Sequence, residues 1–288
     1  IILVIYMLLV KDFSDYEIIG MSEGEKLERW GDYYLLRPDP EIIWSDKIDT
    51  SCVHAHYHRS NKGGGFWEKR RSLPDRWTVN YKDLVFNVKL MGFKHTGIFP
   101  EQSINWDFMM DKIESAKKSG KDSIKVLNLF AYTGCASVAC LSKGAEVTHV
   151  DSSRGMIDWA KENVKSSGLD NKPIRYLVDD CVKFVKREIR RGNKYDAIVM
   201  DPPSYGRGSK NEVWDIEKDL FNLVSLCMGI LSDDTLFFII NSYTAGLSPV
   251  VLENILKMKF SSFSGNISCG ELGIKAKNGL ILPCGVYG

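Results

Sequence analysis

The stretch Val126-Leu127-Asn128-Leu129-Phe130-Ala131-Tyr132-Thr133-Gly134 decides the fold. It predicts a buried strand that enters a tight loop, and a helix from Cys135 to Lys143 is predicted to follow. In α/β proteins this arrangement holds a nucleotide-like ligand beyond the carboxyl end of the strand. We therefore expect the functional site at this edge of the sheet.

Acidic residues follow the next two predicted strands. The run Glu146–Val150 ends in Asp151, and a carboxylate at that position can accept hydrogen bonds from ribose hydroxyls. The strand Ile174–Val178 ends in Asp179 and Asp180, where an acid or a backbone amide can meet an adenine edge. Gly134 is the single glycine of the loop, whereas the dinucleotide fingerprint has three, so the loop alone would also fit an ordinary strand-to-helix turn. The ordered set of loop and acids favours cofactor binding.

The fourth predicted strand, Tyr195–Met200, leads into Asp201-Pro202-Pro203-Ser204-Tyr205. Proline has no backbone N–H and fixes the chain, which leaves nearby carbonyls and the Asp201 carboxylate able to accept hydrogen bonds from an amine. Tyr205 could stack on a base. These four residues, Asp201, Pro202, Pro203 and Tyr205, are the predicted catalytic residues.

The motifs Asn128–Gly134, Asp179–Phe184 and Asp201–Gly208 resemble those of the class I S-adenosylmethionine (SAM)-dependent methyltransferases, in particular the group that contains the large-subunit ribosomal RNA methyltransferases. The resemblance implies SAM as cofactor, no metal, and RNA, with ribosomal RNA foremost, as substrate. It implies that Gly92–Gln102 approaches the cofactor side of the pocket through Phe99 and Gln102. The cofactor-binding residues that it implies are Asn128, Phe130, Tyr132, Thr133, Gly134, Asp151, Ser152, Asp180, Cys181, Phe99 and Gln102.

The atom to be methylated is left open by the motif. The usual amine-methylating pattern has an aromatic residue directly after Asp/Asn-Pro-Pro, whereas Ser204 stands there in this chain. Carbon-5 methylation of cytosine needs a thiolate, and Asn241-Ser242-Tyr243 stands where the resemblance would place that cysteine. Nitrogen is therefore favoured over cytosine C5, unless Cys284 faces Asp201. Methylation of a small molecule or protein, and SAM or RNA binding without catalysis, are the alternatives.

Alternating strands and helices predict an α/β fold: a Rossmann-like, mostly parallel seven-stranded sheet with helices on both faces and an antiparallel last strand. This methyltransferase domain should span residues 92–288, after a small β-rich domain at residues 1–91. A signal for a turn, Asn278-Gly279, separates two runs that should pair antiparallel. The apolar start, Ile1–Val10, is too short to span a bilayer as a helix and is interpreted as a buried strand or an imperfect chain start.

Charge and cysteine content indicate the setting of the protein. The net charge is only +1, but His54–Asp83 carries seven Lys/Arg against three acids, interleaved with aromatic residues. That stretch is a candidate RNA contact, or else a solvated rim.

His54, His56 and His58 would share one strand face, but no acid or cysteine stands nearby in sequence, so no metal site is predicted. Seven cysteines without a Cys-x-x-Cys pair predict a reduced, cytoplasmic protein. No membrane span is predicted, because the apolar start is too short.

Overall fold

The computed structural model describes residues 7–60, 63–208 and 212–288. Two compact units make up the chain. The sheet–helix unit contains Asn105–Leu272 and Gly285–Gly288, together with the chain up to Leu8. The β unit contains Leu9–Ile104 and Gly273–Cys284. The predicted domain limits, 1–91 and 92–288, stay a prediction.

The large sheet has the strand order β1-β16-β17-β15-β12-β9-β10-β11. Its strands are β1 (Met7–Leu9), β9 (Lys125–Leu129), β10 (Glu146–Asp151), β11 (Ile174–Val178), β12 (Ala197–Met200), β15 (Phe237–Ser242), β16 (Gly270–Lys275) and β17 (Ile281–Tyr287). The helices are α1 (Ser103–Lys118), α2 (Cys135–Ser142), α3 (Arg154–Ser166), α4 (Cys181–Arg191), α5 (Ile216–Met228) and α6 (Pro249–Lys259). A short hairpin of β13 (Tyr205–Arg207) and β14 (Val213–Asp215) lies between β12 and α5.

Parallel pairing dominates this sheet, as the alternation of strands and helices predicts. Strand β9 pairs in parallel with β10 and with β12, and β12 pairs in parallel with β15. Strand β17 pairs antiparallel with β15, which confirms the prediction for the last strand. The sheet has eight strands rather than seven because β1 is added at its edge. Core strands β9 and β12 are buried almost throughout, since helices cover both faces of a parallel sheet.

Two predictions about chain segments need correction. The strand Met7–Leu9 is half-buried to exposed rather than buried, and the rest of the predicted strand before Met7 lies outside the described residues. The sequence pattern of residues 214–230 predicts a helix that begins at Trp214, whereas helix α5 begins at Ile216, because the Asp215 side chain caps it by accepting a hydrogen bond from the Glu217 N–H. Trp214 therefore lies in strand β14.

The β unit is built around a five-stranded sheet with the order β2-β3-β4-β5-β6. Its strands are β2 (Tyr16–Ser22), β3 (Glu25–Trp30), β4 (Tyr33–Pro38), β5 (Ala55–Arg59) and β6 (Gly65–Lys69), and β7 (Trp77–Tyr81) pairs with β8 (Leu84–Val88) in a hairpin. The predicted β-rich character of this part of the chain is confirmed. A single turn of 3-10 helix, Pro100–Gln102, precedes α1. Among the described residues, no helix is long and apolar enough to cross a membrane.

Candidate active site

The carboxyl ends of β9, β10, β11 and β12 bring the predicted motifs to one sheet edge. Leu129 pairs with Val150 on one side and with Met200 on the other, so the residues that follow these three strands are neighbours. Asp151 pairs with Val178, which directly precedes Asp179. The loop, Asp151, the Asp179-Asp180 pair and Asp201 therefore occupy one edge of the sheet–helix unit.

The loop after β9 has an unusual backbone. Phe130, Tyr132 and Gly134 adopt left-handed conformations, with φ angles of 52°, 49° and 80°. At Gly134 a Cβ atom would lie 2.8 Å from the Cβ of Ala160 on α3, so no larger residue fits without a shift. The Ala131 N–H donates to the Val150 carbonyl at 3.1 Å. Backbone strain and close packing thus hold one particular loop shape.

Asp151 is tied to this loop by its carboxylate. Oδ2 accepts a hydrogen bond from the Tyr132 N–H at 2.8 Å, and Oδ1 accepts one from the Ser153 N–H at 2.8 Å. Burial raises the pKa of Asp151, and these two backbone bonds oppose the rise. Each carboxylate oxygen has a further lone pair with which it can accept a hydrogen bond. Ser152, the neighbouring predicted contact, is exposed.

Asn128 and Thr133 are buried rather than open to a pocket. Asn128 Nδ2 donates to Ser137 Oγ at 2.9 Å, and Ser137 Oγ lies 2.9 Å from Nδ1 of the buried His149. The serine hydroxyl thus accepts a hydrogen bond from the Asn128 amide and shares a second one with His149 Nδ1. Burial lowers the pKa of His149 to about 3. These side chains join β9, α2 and β10.

Thr133 is held from a different helix. Its carbonyl oxygen accepts a hydrogen bond from Nδ2 of the fully buried Asn163 on α3 at 2.8 Å. Its side chain is fully buried, with Oγ1 3.7 Å from Cys135 Sγ. Within the described residues, no side chain caps the first turn of α2, whose cap position is Gly134. The first-turn N–H groups of α2 are thus suited to an anion or a polar ligand.

The Asp179-Asp180 pair lies at the start of α4. Asp180 is the cap residue of this helix, and its Oδ1 accepts from the Lys183 N–H at 2.8 Å. Asp179 forms an ion pair with Arg187. The Cys181 thiol is buried and accepts a hydrogen bond from the Phe130 N–H at 3.3 Å, and burial raises its pKa well above the usual range. Any contact of Cys181 with a ligand would therefore use its backbone rather than a thiolate.

The Asp-Pro-Pro turn follows β12. Asp201 is half-buried, Pro202 is buried and Pro203 is exposed. The Pro203 carbonyl oxygen accepts a hydrogen bond from the Trp214 indole N–H at 2.7 Å. Ser204 Oγ lies 2.7 Å from Thr244 Oγ1, in the segment after β15. Tyr205 is 55% exposed, so its ring is open to a stacking partner.

The end of β15 carries Asn241 and Ser242. Asn241 and Ser242 are buried, and Asn241 Oδ1 accepts a hydrogen bond from Asn105 Nδ2 at 2.9 Å. Ser242 Oγ accepts one from the Thr244 N–H at 3.1 Å. Cys284 belongs to the β unit, where burial and the Glu101 carboxylate raise the pKa of its thiol well above the usual range. Cys284 is therefore expected to be a neutral thiol rather than a thiolate.

Phe99 and Gln102 belong to the β unit. The Phe99 ring packs edge-on against His95, with 5.3 Å between the ring centroids. Gln102 is buried in the 3-10 turn. Their predicted contact with the cofactor stays a prediction.

Two expectations about the β unit change with the strand pairing. The expectation that no acid lies near the histidines is wrong, because β5 pairs with β6 and places Glu68 opposite His56. The basic stretch loses three of its aromatic candidates, since Tyr57, Trp77 and Tyr81 are buried in the core and cannot stack on a base. Phe66 is 63% exposed and remains available, and Lys62 lies outside the described residues.

Sequence reasoning missed Trp214, Ser137, His149 and Asn163. Trp214 was assigned to helix α5, and the other three are polar residues in runs whose pattern marks only a helix or a strand. Their partners lie 9 to 30 positions away in the chain, as with Asn128–Ser137 and Asn163–Thr133. The sequence carries no local signal for such pairs.

A Rossmann-like α/β sheet with a left-handed loop and strand-end acids defines a class of proteins that bind a nucleotide-like cofactor at this sheet edge. The family model of S-adenosylmethionine-dependent methyltransferases matches residues 41–262, and the chain belongs to this family. SAM is accordingly the cofactor, as the motifs predict.

Similar proteins agree with this assignment. The crystal structure of a SAM-dependent methyltransferase from Agrobacterium tumefaciens is 33% identical, covers 99% of this chain and 92% of its own, and superposes with a TM-score of 0.93. Ribosomal RNA large subunit methyltransferase K/L of Shewanella frigidimarina is 34% identical over 79% of this chain and 31% of its own length. Ribosomal RNA large subunit methyltransferase K of Neisseria meningitidis is 24% identical over 87% of this chain and 72% of its own length. The chain thus spans less than a third of the K/L relative.

Proposed function

We propose that this chain transfers the methyl group of SAM to a nucleobase nitrogen of RNA, with ribosomal RNA as the substrate class. The observation that carries the proposal is the Asp201-Pro202-Pro203 turn beside the Phe130–Gly134 loop at one sheet edge. The names of the Shewanella and Neisseria relatives support ribosomal RNA. A cytoplasmic location is part of the proposal, supported by seven cysteines that are all free thiols.

The donor set at this edge fits SAM. The Asp151 carboxylate has lone pairs left for the two ribose hydroxyls after accepting from Tyr132 and Ser153. The start of α2, which lacks a side-chain cap among the described residues, suits the carboxylate of the methionine part. Asp180 and the Cys181 backbone would meet the adenine, while Asn128 and Thr133 act from inside by fixing the loop.

SAM supplies an electrophilic methyl group on a sulfonium centre. The chain's own residues then have to hold an amine nitrogen in line with that carbon. The Asp201 carboxylate and the carbonyls of the turn would accept the amine N–H groups, which directs the nitrogen lone pair to the methyl. As the nitrogen–carbon bond forms, the carbon–sulfur bond of the sulfonium would break with its electron pair left on sulfur, and the amine proton would leave to Asp201 or to water. Tyr205 would stack on the base.

Nitrogen is favoured over cytosine C5 because no described cysteine of the sheet–helix unit combines a lowered pKa with a place at this edge. The buried Cys181 and Cys227 have raised thiol pKa values, and the end of β15 carries Asn241 and Ser242. A carbon-5 mechanism requires a thiolate that adds to the ring. The geometry therefore supports direct attack by an amine.

In the β unit we propose the exposed Phe66 and the exposed Arg59 and Lys69 as separate RNA contacts, since the pairing of β5 with β6 places Phe66 on the opposite sheet face from Arg59 and Lys69. Basic side chains contact phosphates and an exposed ring can stack on a base. Charge reversal at Lys69 should then weaken RNA binding without changing SAM affinity.

The test is incorporation of labelled methyl from SAM into unmodified ribosomal RNA, with tRNA and total protein as parallel acceptors. Asp201→Asn should abolish incorporation while retaining SAM binding in calorimetry. Asp170→Asn, an exposed acid in a turn of the same unit, is the matched control and should keep full activity. Incorporation only into protein or a small molecule would contradict the RNA assignment. Equal activity of Asp201→Asn would contradict the proposed role of the turn.

A further inference from the structure

The β unit brings two histidines and a glutamate together on one sheet face. His56 and His58 alternate along β5, so their side chains point to the same side, and the two rings lie 4.0 Å apart between centroids. Strand β6 pairs antiparallel with β5 and places Glu68 directly opposite His56. The cluster therefore follows from the register of one hairpin.

The potential metal-binding atoms of these residues converge. His58 Nε2 lies 2.9 Å from Glu68 Oε2, and His56 Nδ1 lies 4.0 Å from the same oxygen. One ligand atom from each of the three residues falls within 4.8 Å of the others. Two imidazoles and one carboxylate form a donor set that Zn²⁺ and related divalent ions accept, with water completing the coordination.

Glu25 fixes the tautomer of His56. His56 Nε2 lies 2.5 Å from Glu25 Oε1 and Arg70 donates to Nδ1, so the Nε2–H donates a hydrogen bond to the carboxylate. The Nδ1 lone pair of His56 is then directed into the cluster. A carboxylate that orients a histidine through its second ring nitrogen is the usual support of a metal-binding histidine.

A positively charged side chain already contacts two of these potential metal ligands. One guanidinium nitrogen of Arg70, Nη2, lies 2.9 Å from His56 Nδ1 and 3.0 Å from Glu68 Oε2. His56 Nδ1 and Glu68 Oε2 thus both accept hydrogen bonds from the same positively charged group. The Arg70 side chain is 35% exposed, so it can swing into solvent without crossing the core.

We propose that His56, His58 and Glu68 form a binding site for a divalent transition-metal ion of the Zn²⁺ type, in which the Arg70 guanidinium occupies the cation position in the absence of metal. Metal and Arg70 compete for His56 Nδ1 and Glu68 Oε2. The proposal does not depend on the proposed methyltransferase substrate, because all of these residues belong to the β unit.

Titration of the metal-free protein with Zn²⁺ tests the site, with the absorption spectrum of a Co²⁺ titration as a second measurement. We expect one ion per chain. His58→Ala should weaken binding by more than about tenfold, and Glu25→Gln by about tenfold. Arg70→Gln should strengthen binding several-fold because it removes the competing cation. Circular dichroism checks that each variant is folded.

His54→Ala is the matched control. His54 precedes the same strand, but its Nδ1 accepts a hydrogen bond from the Tyr34 N–H at 3.1 Å, so it is directed elsewhere. This variant should bind Zn²⁺ as the unaltered chain does. The proposal is overturned if neither the unaltered chain nor Arg70→Gln binds the ion, or if His58→Ala leaves the affinity unchanged. Co²⁺ spectra dominated by thiolate charge transfer would assign the ion to cysteines instead, which would also overturn it.

Discussion

Trp214 donates its indole N–H to the carbonyl oxygen of Pro203 at 2.7 Å. The same indole packs against Phe130, with 4.9 Å between the ring centroids. One side chain of strand β14 therefore contacts both the loop after β9 and the Asp-Pro-Pro turn after β12. Because Trp214 is only 7% exposed, these two contacts are shielded from water.

Replacing Trp214 by Phe should uncouple the turn from the loop. Phe keeps an aromatic ring beside Phe130 but removes the N–H, which leaves the Pro203 carbonyl without this donor at a cost of about 1–3 kcal/mol. If the turn positions the acceptor amine, we expect kcat to fall about tenfold, whereas the Kd for SAM should change by less than about threefold. Steady-state kinetics and calorimetry measure the two effects.

The control for this substitution is Trp159→Phe, which alters another buried tryptophan of the same unit. It should lower stability without a comparable loss of kcat. Equal kcat values for Trp214→Phe and Trp159→Phe would show that Trp214 serves only to pack the core and does not position the turn.

Gly134→Ala should damage the cofactor loop. At a φ angle of 80° a Cβ costs about 1–2 kcal/mol, and here it would also lie 2.8 Å from the Cβ of Ala160. We expect lower thermal stability together with SAM binding at least about tenfold weaker, because the loop has to move. Gly168→Ala is the matched control, since its φ angle is 68° and nothing lies within 4 Å of its Cβ position. Equal SAM affinities of the two variants would refute the importance of the loop shape.

His149 should make stability depend on pH. Its pKa is lowered to about 3 in the folded chain by burial, against about 6.5 in the unfolded chain. The unfolded state therefore binds more protons between these values, and stability is full above pH 6.5 and is lost as the pH falls toward 3. At pH 5 the loss from this residue is about 2 kcal/mol, from roughly 1.4 kcal/mol for each pH unit. Urea unfolding of the unaltered chain and His149→Gln at pH 7.5, 6 and 5 measures it.

The expected result is that the stability difference between these two proteins shrinks or reverses as the pH falls. Two curves that run parallel from pH 7.5 to 5 would show that His149 does not titrate as a buried neutral group.

The β unit depends on a buried ion pair. Glu28 accepts hydrogen bonds from Arg37 Nε at 2.5 Å, from Arg37 Nη2 at 2.7 Å and from the Tyr16 hydroxyl at 2.7 Å. The Arg37 charge and these bonds outweigh burial and lower the pKa of Glu28 to about 2. Removing either residue leaves a buried charge without its nearest partner, although Lys26 Nζ still lies 3.7 Å from Glu28 Oε1, so Glu28→Leu and Arg37→Met should each cost about 3 kcal/mol.

The double variant should cost much less than the sum of the single ones, because no lone charge remains. A double-mutant cycle by chemical unfolding measures the coupling, which we expect to be about 2–3 kcal/mol. Additive effects would show that the pair is not a coupled unit.

Local sequence patterns were enough to predict the parallel sheet and much of the loop after β9. Apolar runs such as Val126–Leu129 and Ala197–Met200 are buried on both faces, which is a property of composition. A glycine after a helical run predicts a helix end, and Gly192 ends α4 with a φ angle of 69°. Trp214 was misplaced because its apolar character fits helix α5 and strand β14 equally well, and the Asp215 cap decides between them.

The sequence by itself determined the strand-end positions of Asp151, Asp180 and Asp201, because a strand followed by a loop and a helix is written in consecutive residues. Tertiary structure alone decided which polar groups meet: Asn128 with Ser137 and His149, Trp214 with Pro203, and His56 with Glu25, Glu68 and Arg70. Those contacts depend on strand register and helix packing, which bring together residues distant in the chain. Periodicity and composition describe one segment at a time, so they carry no information about such distances.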